Sequence, residues 1–589
     1  MAQRRVTKMR LHRYPYRLLS AVLLVAAAAW SQQVALQGLR SLNHDGAFHG
    51  LKQDAAGNLY TVFDAHDGLR VYKFNAAGTQ LLAQAQLGQA GDDGIALDVD
   101  AAGNVYVTGT SNSRGSIAGT AGTAFPNKAD TTTNSFVARL TPALTLQWLT
   151  FCGSGRLAAV AVGANATQVI VTGSIFAATL PVTAGGLQQS PAPSSVGNGF
   201  VESFNAATGT LQYSTYVTGA NGDTAPASIA VDAGGHAYIA GTTTATGCPT
   251  SAALVPVFRA TAGNNVSGFV TELTPAGDGF VFSTFVPGNG LTSVALDANA
   301  LLLAGDVASG LFPVGHVQSP IAPLLRSQTA VRLALDGTVV QSSTLLGPGT
   351  QSLIVAGPNG TAWVFGSTQN AATVPLLPFT TVETTGNAFA VRIAANGLVD
   401  RAARIGALPT RNSGFASIPV TEGGIVVAAD GSATLAASIA PTLSSALLAT
   451  EQYDFDLVAT PNAALPSTLR DALPLSTCNG SACAGSAGLL TRLAPDAASP
   501  SLSLSIDTLP NPDAAQPGHR CSQRHKRDRD RLHTYKYVRY SAVCRGCLQP
   551  CGHRCRARQR DGHRRERLVA DHSFACEQCG RRRAGRVAA

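Results

Sequence analysis

The stretch Asp100-Ala-Ala-Gly-Asn-Val-Tyr-Val-Thr-Gly109 holds a turn and a strand side by side. Asp, Gly and Asn favour a tight turn, because Asx side chains bond their own backbone and Gly accepts left-handed dihedrals. The following Val-Tyr-Val-Thr is β-branched and aromatic, as a strand requires. Some 25 residues on, roughly, Ser135-Phe-Val-Ala-Arg-Leu-Thr-Pro142 reads as another strand, and Leu146-Gln-Trp-Leu-Thr-Phe151 as a third.

The unit recurs along the chain, which is the mark of a repeat architecture. Its turns are Asp54-Ala-Ala-Gly-Asn58, Asp100-Ala-Ala-Gly-Asn104, Gly163-Ala-Asn-Ala166, Asp232-Ala-Gly-Gly-His236, Asp297-Ala-Asn299, Gly357-Pro-Asn-Gly360 and Thr421-Glu-Gly-Gly424. The first two starts lie 46 residues apart and the others 60 to 69, so the first unit has a short loop. The Phe-Val-Ala-Arg-Leu strand recurs as Gly199-Phe-Val-Glu-Ser-Phe204 and Gly268-Phe-Val-Thr-Glu-Leu273. It returns more weakly at Ala330–Leu333, Ala388–Ile393 and Gly488–Leu493. Four short strands in about 60 residues make one blade of a β-propeller, whose open sheet faces are buried only by neighbouring blades. A row of separate β-sandwiches would need longer units. The expected fold is all-β: a propeller of about seven four-stranded blades over 34–500. A strand near Val34–Leu42 is a candidate to pair with the last blade and close the ring.

The chain has 589 residues, 45% hydrophobic and 13% charged, with 60 Gly and 30 Pro. That excludes a disordered chain and suits many short strands joined by tight turns. At the front, Arg4, Arg5, Lys8, Arg10, Arg13 and Arg17 precede an apolar run over 18–29, with Ala29 and Ser31 placed for cleavage before Gln32. This reads as a signal peptide over 1–31, since the run is short for a spanning helix. Export to the cell surface or the medium follows as an expectation, with no membrane span in the mature chain.

The other end differs. Arg520 onward holds 20 of the 43 Lys and Arg but 6 of the 34 Asp and Glu, so the net +9 belongs to it and the remainder is mildly acidic. Cys544-x-x-Cys547, Cys551-x-x-x-Cys555 and Cys576-x-x-Cys579 imitate zinc spacing, and Arg581-Arg-Arg583 imitates a nucleic-acid patch. A different origin fits better. Arg527-Asp-Arg-Asp530 can be written CGT GAC CGT GAC, which one nucleotide later reads Val-Thr-Val. We expect 501–518 to open an immunoglobulin-like β domain. A frame slip near Gly518–Cys521 would then leave 519–589 as an out-of-frame, disordered basic tail. A basic binding tail and a true metal site are the alternatives; no nucleic-acid partner is expected.

The residues Asn104-Val-Tyr-Val-Thr-Gly-Thr110, Phe136-Val-Ala-Arg-Leu-Thr-Pro142 and Tyr213-Ser-Thr-Tyr216, with Gly222-Asp-Thr-Ala-Pro-Ala-Ser-Ile-Ala-Val-Asp232, resemble the SBBP (seven-bladed β-propeller) repeat of secreted bacterial proteins. The resemblance covers roughly 50–500 and is strongest at 94–290. Later units such as Leu301-Leu-Leu and Ile425-Val-Val lack the Asn-x-Tyr opening. It implies fold and export, carries no shared catalytic residues, and leaves the ligand open.

Little in the body marks an enzyme. No HExxH, phosphate-binding loop or GxSxG elbow occurs, and no catalytic, cofactor or metal residue is assigned. After the signal, the body's histidines are His44, His49, His66, His236 and His316. His236 takes the Asn position of a repeat turn, so a turn role is expected. Asp92, Asp93, Asp98 and Asp100 could offer oxygens to calcium, but two of them belong to a repeat strand and turn; no cofactor is expected. Cys478-Asn-Gly-Ser-Ala-Cys483 brackets a loop that a disulfide could close in an oxidising compartment. Cys152 and Cys248 each read as a small buried residue or a loop thiol rather than a nucleophile.

Three functions compete. The first is a monomeric, non-catalytic scaffold that binds an extracellular glycan or protein through uneven loops such as Ser111–Asn134 and Thr243–Ser267. The second is an extracellular hydrolase or polysaccharide lyase with a site at the channel. The third is a structural stalk module.

Overall fold

The computed structural model describes residues 40–42, most of 46–439 apart from portions of the connecting loops, 455–459, 487–493 and 502–503. The expected signal peptide, the domain start over 501–518 beyond Leu502–Ser503, the basic tail and the Cys478–Cys483 pair lie outside the described residues.

The described residues are strands and turns, with one short 3-10 segment at Pro358–Gly360. All strand pairing is antiparallel, and blades 1 to 6 are four-stranded meanders of consecutive strands, with Phe455–Ala459 added at the edge of the sixth. Blade 1 comprises Gly46–Gln53, Leu59–Ala65, Gly68–Phe74 and Leu81–Leu87. Blade 2 follows with Asp92–Val99, Val105–Asn112, Thr133–Leu140 and Leu146–Phe151, and blade 3 with Arg156–Val162, Gln168–Phe176, Gly197–Asn205 and Leu211–Tyr216. The long strand Phe280–Asp297 is shared. Its first part is the outer strand of blade 4, after Thr224–Val231, Ala237–Thr243 and Ser267–Leu273; its second part is the inner strand of blade 5. Ala300–Val307, Ser327–Ala334 and Val340–Gly347 complete blade 5. Blade 6 is Gln351–Ala356, Ala362–Ser367, Ala388–Ile393 and Val399–Pro409.

Blade 7 takes Val420–Val427, Ala433–Ile439 and Ala487–Leu493 from the end of the ring, and its fourth strand is Arg40–Leu42. Ser41 opposes Leu489, so the two ends of the ring share one sheet. Closure removes the open faces that a linear row of blades would leave.

The apolar side chains gather between blades. Tyr60, Val62 and Val71 of blade 1 pack with Leu97, Val105 and Phe136 of blade 2. Comparable layers join blades 2 and 3, 3 and 4, 4 and 5, and 5 and 6. Phe48, Phe63 and Phe74 of blade 1 meet Val426, Ala436 and Leu490 of blade 7, so closure is made by side chains as well as by backbone pairing. Each such large side chain contributes about 1.5–3 kcal/mol on burial.

The seventh turn sits elsewhere than the sequence suggested. Thr421-Glu-Gly-Gly424 lies within the inner strand Val420–Val427, and the turn is at 428–432, before Ala433–Ile439. The glycines mark a bulge between Glu422 and Gly424. Inner strands of blades 1 to 5 bulge likewise, for instance between Gly94 and Ala96. This bulge explains the glycine in the second strand: a Cβ at Gly109 would sit 2.2 Å from the carbonyl oxygen of Asp93.

The connections are lopsided. Turns between first and second strands are short throughout, and so are those between third and fourth in blades 1 to 6. In blades 2 to 6 the second-to-third connections are long: 113–132, 177–196, 244–266, 308–326 and 368–387. Blade 1, with 66–67 only, is the exception that shortens the first repeat. Where described, these connections run back along the outer strand of their own blade. Thr120 and Phe125 bond to Leu149 and Phe151 of blade 2; Thr183 and Gln188 bond to Ser214 and Tyr216 of blade 3; Ser251 and Val255 bond to Ser283 and Phe285 of blade 4. They cover edges that would otherwise present unpaired backbone groups.

Candidate functional site

The seven inner strands surround a channel of about 450 Å³. Its lining is mostly Ala, Val, Ile, Leu and Gly, with Ile95, Ala159, Ile229, Val294, Leu353 and Ile425 among the contributors. The titratable side chains among the described lining residues are His49, Lys52 and Asp98. Burial holds the His49 imidazole below its ordinary pKa, so it is neutral at pH 7. Lys52 pairs with Asp98 at 3.1 Å, and the other Asp98 oxygen accepts the Val162 amide at 2.8 Å. One carboxylate thus ties blades 1, 2 and 3 together. A hydrolase or lyase site here needs His, Tyr, Arg or paired carboxylates converging on the channel; of these the described lining offers His49, with Asp98 as its one carboxylate.

A second arrangement repeats at the short-turn end. In blade 1, Asp54 accepts the amides of Ala56 and Asn58 on one oxygen, and the Asn58 amide side chain and the Tyr60 hydroxyl on the other, at 2.8–3.0 Å. Burial opposes the charge on Asp54, but these donors prevail and hold its carboxyl below the usual range. Tyr60 opposes Lys73 on the third strand, whose ammonium lies 5.0 Å from the ring centroid. Blade 2 repeats the set with Asp100, Asn104, Tyr106 and Arg139. The same third-strand position is Arg332 in blade 5, Arg392 in blade 6 and Arg492 in blade 7. These pair with Asp297, Asp400 and Asp430 respectively. A turn carboxylate near a third-strand cation therefore recurs in blades 1, 2, 5 and 7, whereas in blade 6 the partner Asp400 comes from the fourth strand.

Blade 4 breaks the rule. Asp232 accepts the His236 amide at 2.9 Å and faces His236 Nδ1 at 3.1 Å, so His236 does take the Asn role expected of it. The third-strand residue opposite Tyr238, however, is Glu272. Glu272 is buried, and ligand atoms of Asp232, His236 and Glu272 lie within 4.8 Å of one another. Burial pushes the Glu272 carboxyl up, and Asp232 adds to this, while Tyr238 and His236 pull the other way. Sequence reading named His236 but missed Glu272. The signal was present as Glu in Phe269-Val-Thr-Glu-Leu273 where Phe136-Val-Ala-Arg-Leu140 has Arg.

The calcium candidates are placed apart. Asp92 accepts the amides of Gln89 and Ser116 and the Ser111 hydroxyl, fixing the start of the long connection. Asp93 adjoins it on the inner strand, while Asp98 and Asp100 lie at the opposite end of that strand in the roles given above. Cys152 is buried and its thiol is pushed well up by burial, with Glu202 adding to this; Cys248 is half-buried, its thiol also raised by burial. Neither has the depressed pKa of a nucleophile.

No protein-family model matches the chain, and no curated protein sequence matches it. Among solved structures it is similar to the Pan2 WD40 domain of Neurospora crassa, with 10% identity, 69% of this chain and 94% of that one covered, and a TM-score of 0.36. It is also similar to U3-55K, at 7% identity, 77% and 98% coverage and a TM-score of 0.39. The C-terminal WD40 domain of Sif2 matches at 8% identity, with 73% and 100% coverage and a TM-score of 0.36. The propeller assignment rests on the strand order and ring closure described above. Among the described residues, no helix is long and apolar enough to cross a membrane.

Proposed function

We propose that this chain is an exported, non-catalytic binding scaffold of the SBBP-repeat type, recognising an extracellular glycan or protein. The observation that carries the reading is the asymmetry between the two ends of the blades. From blade 2 to blade 6 every second-to-third connection is long and leaves from one end, whereas the other end carries tight turns. Much of each described connection is used to cover its own outer strand, so the surface left for recognition is the part that precedes the edge contact. In blade 2 that part includes exposed Ser113 and Arg114 and half-buried Asn112. Amides, hydroxyls and an Arg are ordinary donors and acceptors for sugar hydroxyls or peptide groups. The apolar, narrowly charged channel lining favours this reading over a channel hydrolase or lyase.

The full chain is screened on glycan and protein arrays, and any hit is re-measured with R114E at the long-connection end and with A101R at a short turn. The reading expects a hit that R114E weakens and A101R leaves unchanged. A hit abolished by A101R alone, or turnover of an arrayed polysaccharide, would overturn it.

A further inference from the structure

We propose that Asp232, His236 and Glu272 of blade 4 form a binding site for a divalent first-row transition ion of the Zn²⁺ class. In blades 1, 2, 5, 6 and 7 the third-strand position carries Lys73, Arg139, Arg332, Arg392 or Arg492. In blade 3 neither member of the pair is present: its turn Gly163–Ala166 lacks an acid and the third-strand position is Ser203. Blade 4 alone keeps the turn acid and replaces the cation with a second acid, and it also replaces the turn Asn with a histidine.

Two nearby carboxylates without a cation repel each other, and the cost grows with burial. Glu272 is 5% exposed, so water screens it little. A bound cation restores the charge balance that a guanidinium or ammonium supplies to the turn acid in four other blades, 1, 2, 5 and 7. The donor set selects its kind. An imidazole nitrogen suits Zn²⁺, Co²⁺ or Ni²⁺, whereas Ca²⁺ and Mg²⁺ prefer six or more oxygens. Three protein ligands within 4.8 Å of one another leave room for water to complete a four-coordinate shell. His236 and Asp232 side chains are about one-third exposed, which gives an ion a way in while Glu272 forms the floor. Tyr238, opposite Glu272 in register and close to both carboxylates, stands beside the site as a second-layer donor.

The test uses the full chain, stripped with a chelator and with its thiols alkylated so that the cysteine-rich tail does not compete. Zn²⁺ is titrated calorimetrically, and Co²⁺ is followed by absorption. E272R installs the residue that blade 2 has, and H236N the residue that blades 1 and 2 have, so both variants are expected to fold; thermal melting checks this. The proposal expects one Zn²⁺ site in the parent chain that is weakened at least about tenfold in each variant, with Co²⁺ bands free of thiolate character. Absence of a Zn²⁺ site in the parent would overturn it. So would equal affinity in the parent and E272R, or a site that prefers Ca²⁺ and survives H236N.

Discussion

The indole of Trp148, on the outer strand of blade 2, lies against Gly209 in the third-to-fourth turn of blade 3: a Cβ on Gly209 would sit 2.9 Å from the ring. The indole N–H donates to the Ala206 carbonyl in the same turn at 3.1 Å. The contact repeats as Tyr213 on Gly277 and Phe282 on Gly337. Each outer-strand ring is thus seated on a glycine of the next blade. Blade 2 shows the complement. Its equivalent turn carries Leu144, buried among Ala83 and Ala85 of blade 1, where the outer strand has no aromatic.

Gly209 also has φ +69, so an added methyl meets both backbone strain and the indole. G209A is expected to lower stability by about 2–4 kcal/mol. G185A isolates the backbone part, since Gly185 has φ +84 with nothing within 4 Å; about 1 kcal/mol is expected there. Denaturant midpoints measure both. Equal losses would show that the ring seat contributes nothing.

Glu202 is fully buried beside Cys152 and Ser214, and burial pushes its carboxyl up to about 8 from an ordinary 4.5. The folded chain therefore holds a proton that the unfolded chain releases, and stability falls as pH rises between these values, by at most about 1.4 kcal/mol per pH unit. E202Q is expected to flatten this decline and to melt above the parent at pH 8 and beyond. Parallel melting curves for parent and variant from pH 5 to pH 8, by roughly the window that linkage sets, would refute the assignment.

The repeat's ion pairs differ in exposure, and this ranks their worth. Arg332 and Asp297 side chains are 11% and 14% exposed, whereas Asp430, the partner of Arg492, is 56% exposed. R332A strands a shielded carboxylate and is expected to cost about 2–4 kcal/mol. R492A should cost less than about 1 kcal/mol. Urea titrations of the two variants give the comparison.

Edge covering predicts an aggregation phenotype. The Thr120 amide donates to the Leu149 carbonyl at 2.8 Å, on the outer strand of blade 2. T120P removes that donor. Its melting point should fall only slightly, but light scattering after mild heating should rise well above the parent, because an uncovered strand edge recruits other chains.

The blade was readable because its signals are local. Asp-x-x-Gly-Asn turns, Val-Tyr-Val strands and the spacing of the first six turns match the structure, and so does the short loop of blade 1. The seventh turn misled because Glu422-Gly-Gly424 resembles a turn while its glycines mark a bulge against the neighbouring blade; only tertiary contact distinguishes the two. The long connections looked like free loops, since backbone bonds to their own outer strand leave no residue pattern. Glu272 was visible as a letter, yet its meaning depends on register: it matters because it stands opposite Tyr238, where five of the other blades place a base.

Closure of the ring by Arg40–Leu42 on Ala487–Leu493 holds the account together, and cysteine cross-linking tests it directly. S41C and L489C stand opposite each other in the pairing. After mild oxidation, peptide mapping by mass spectrometry should find a disulfide between positions 41 and 489. S41C with L493C, shifted along the strand, should give far less. Failure of the 41–489 link, or an equal yield from the shifted pair, would contradict a propeller closed by its N-terminal strand.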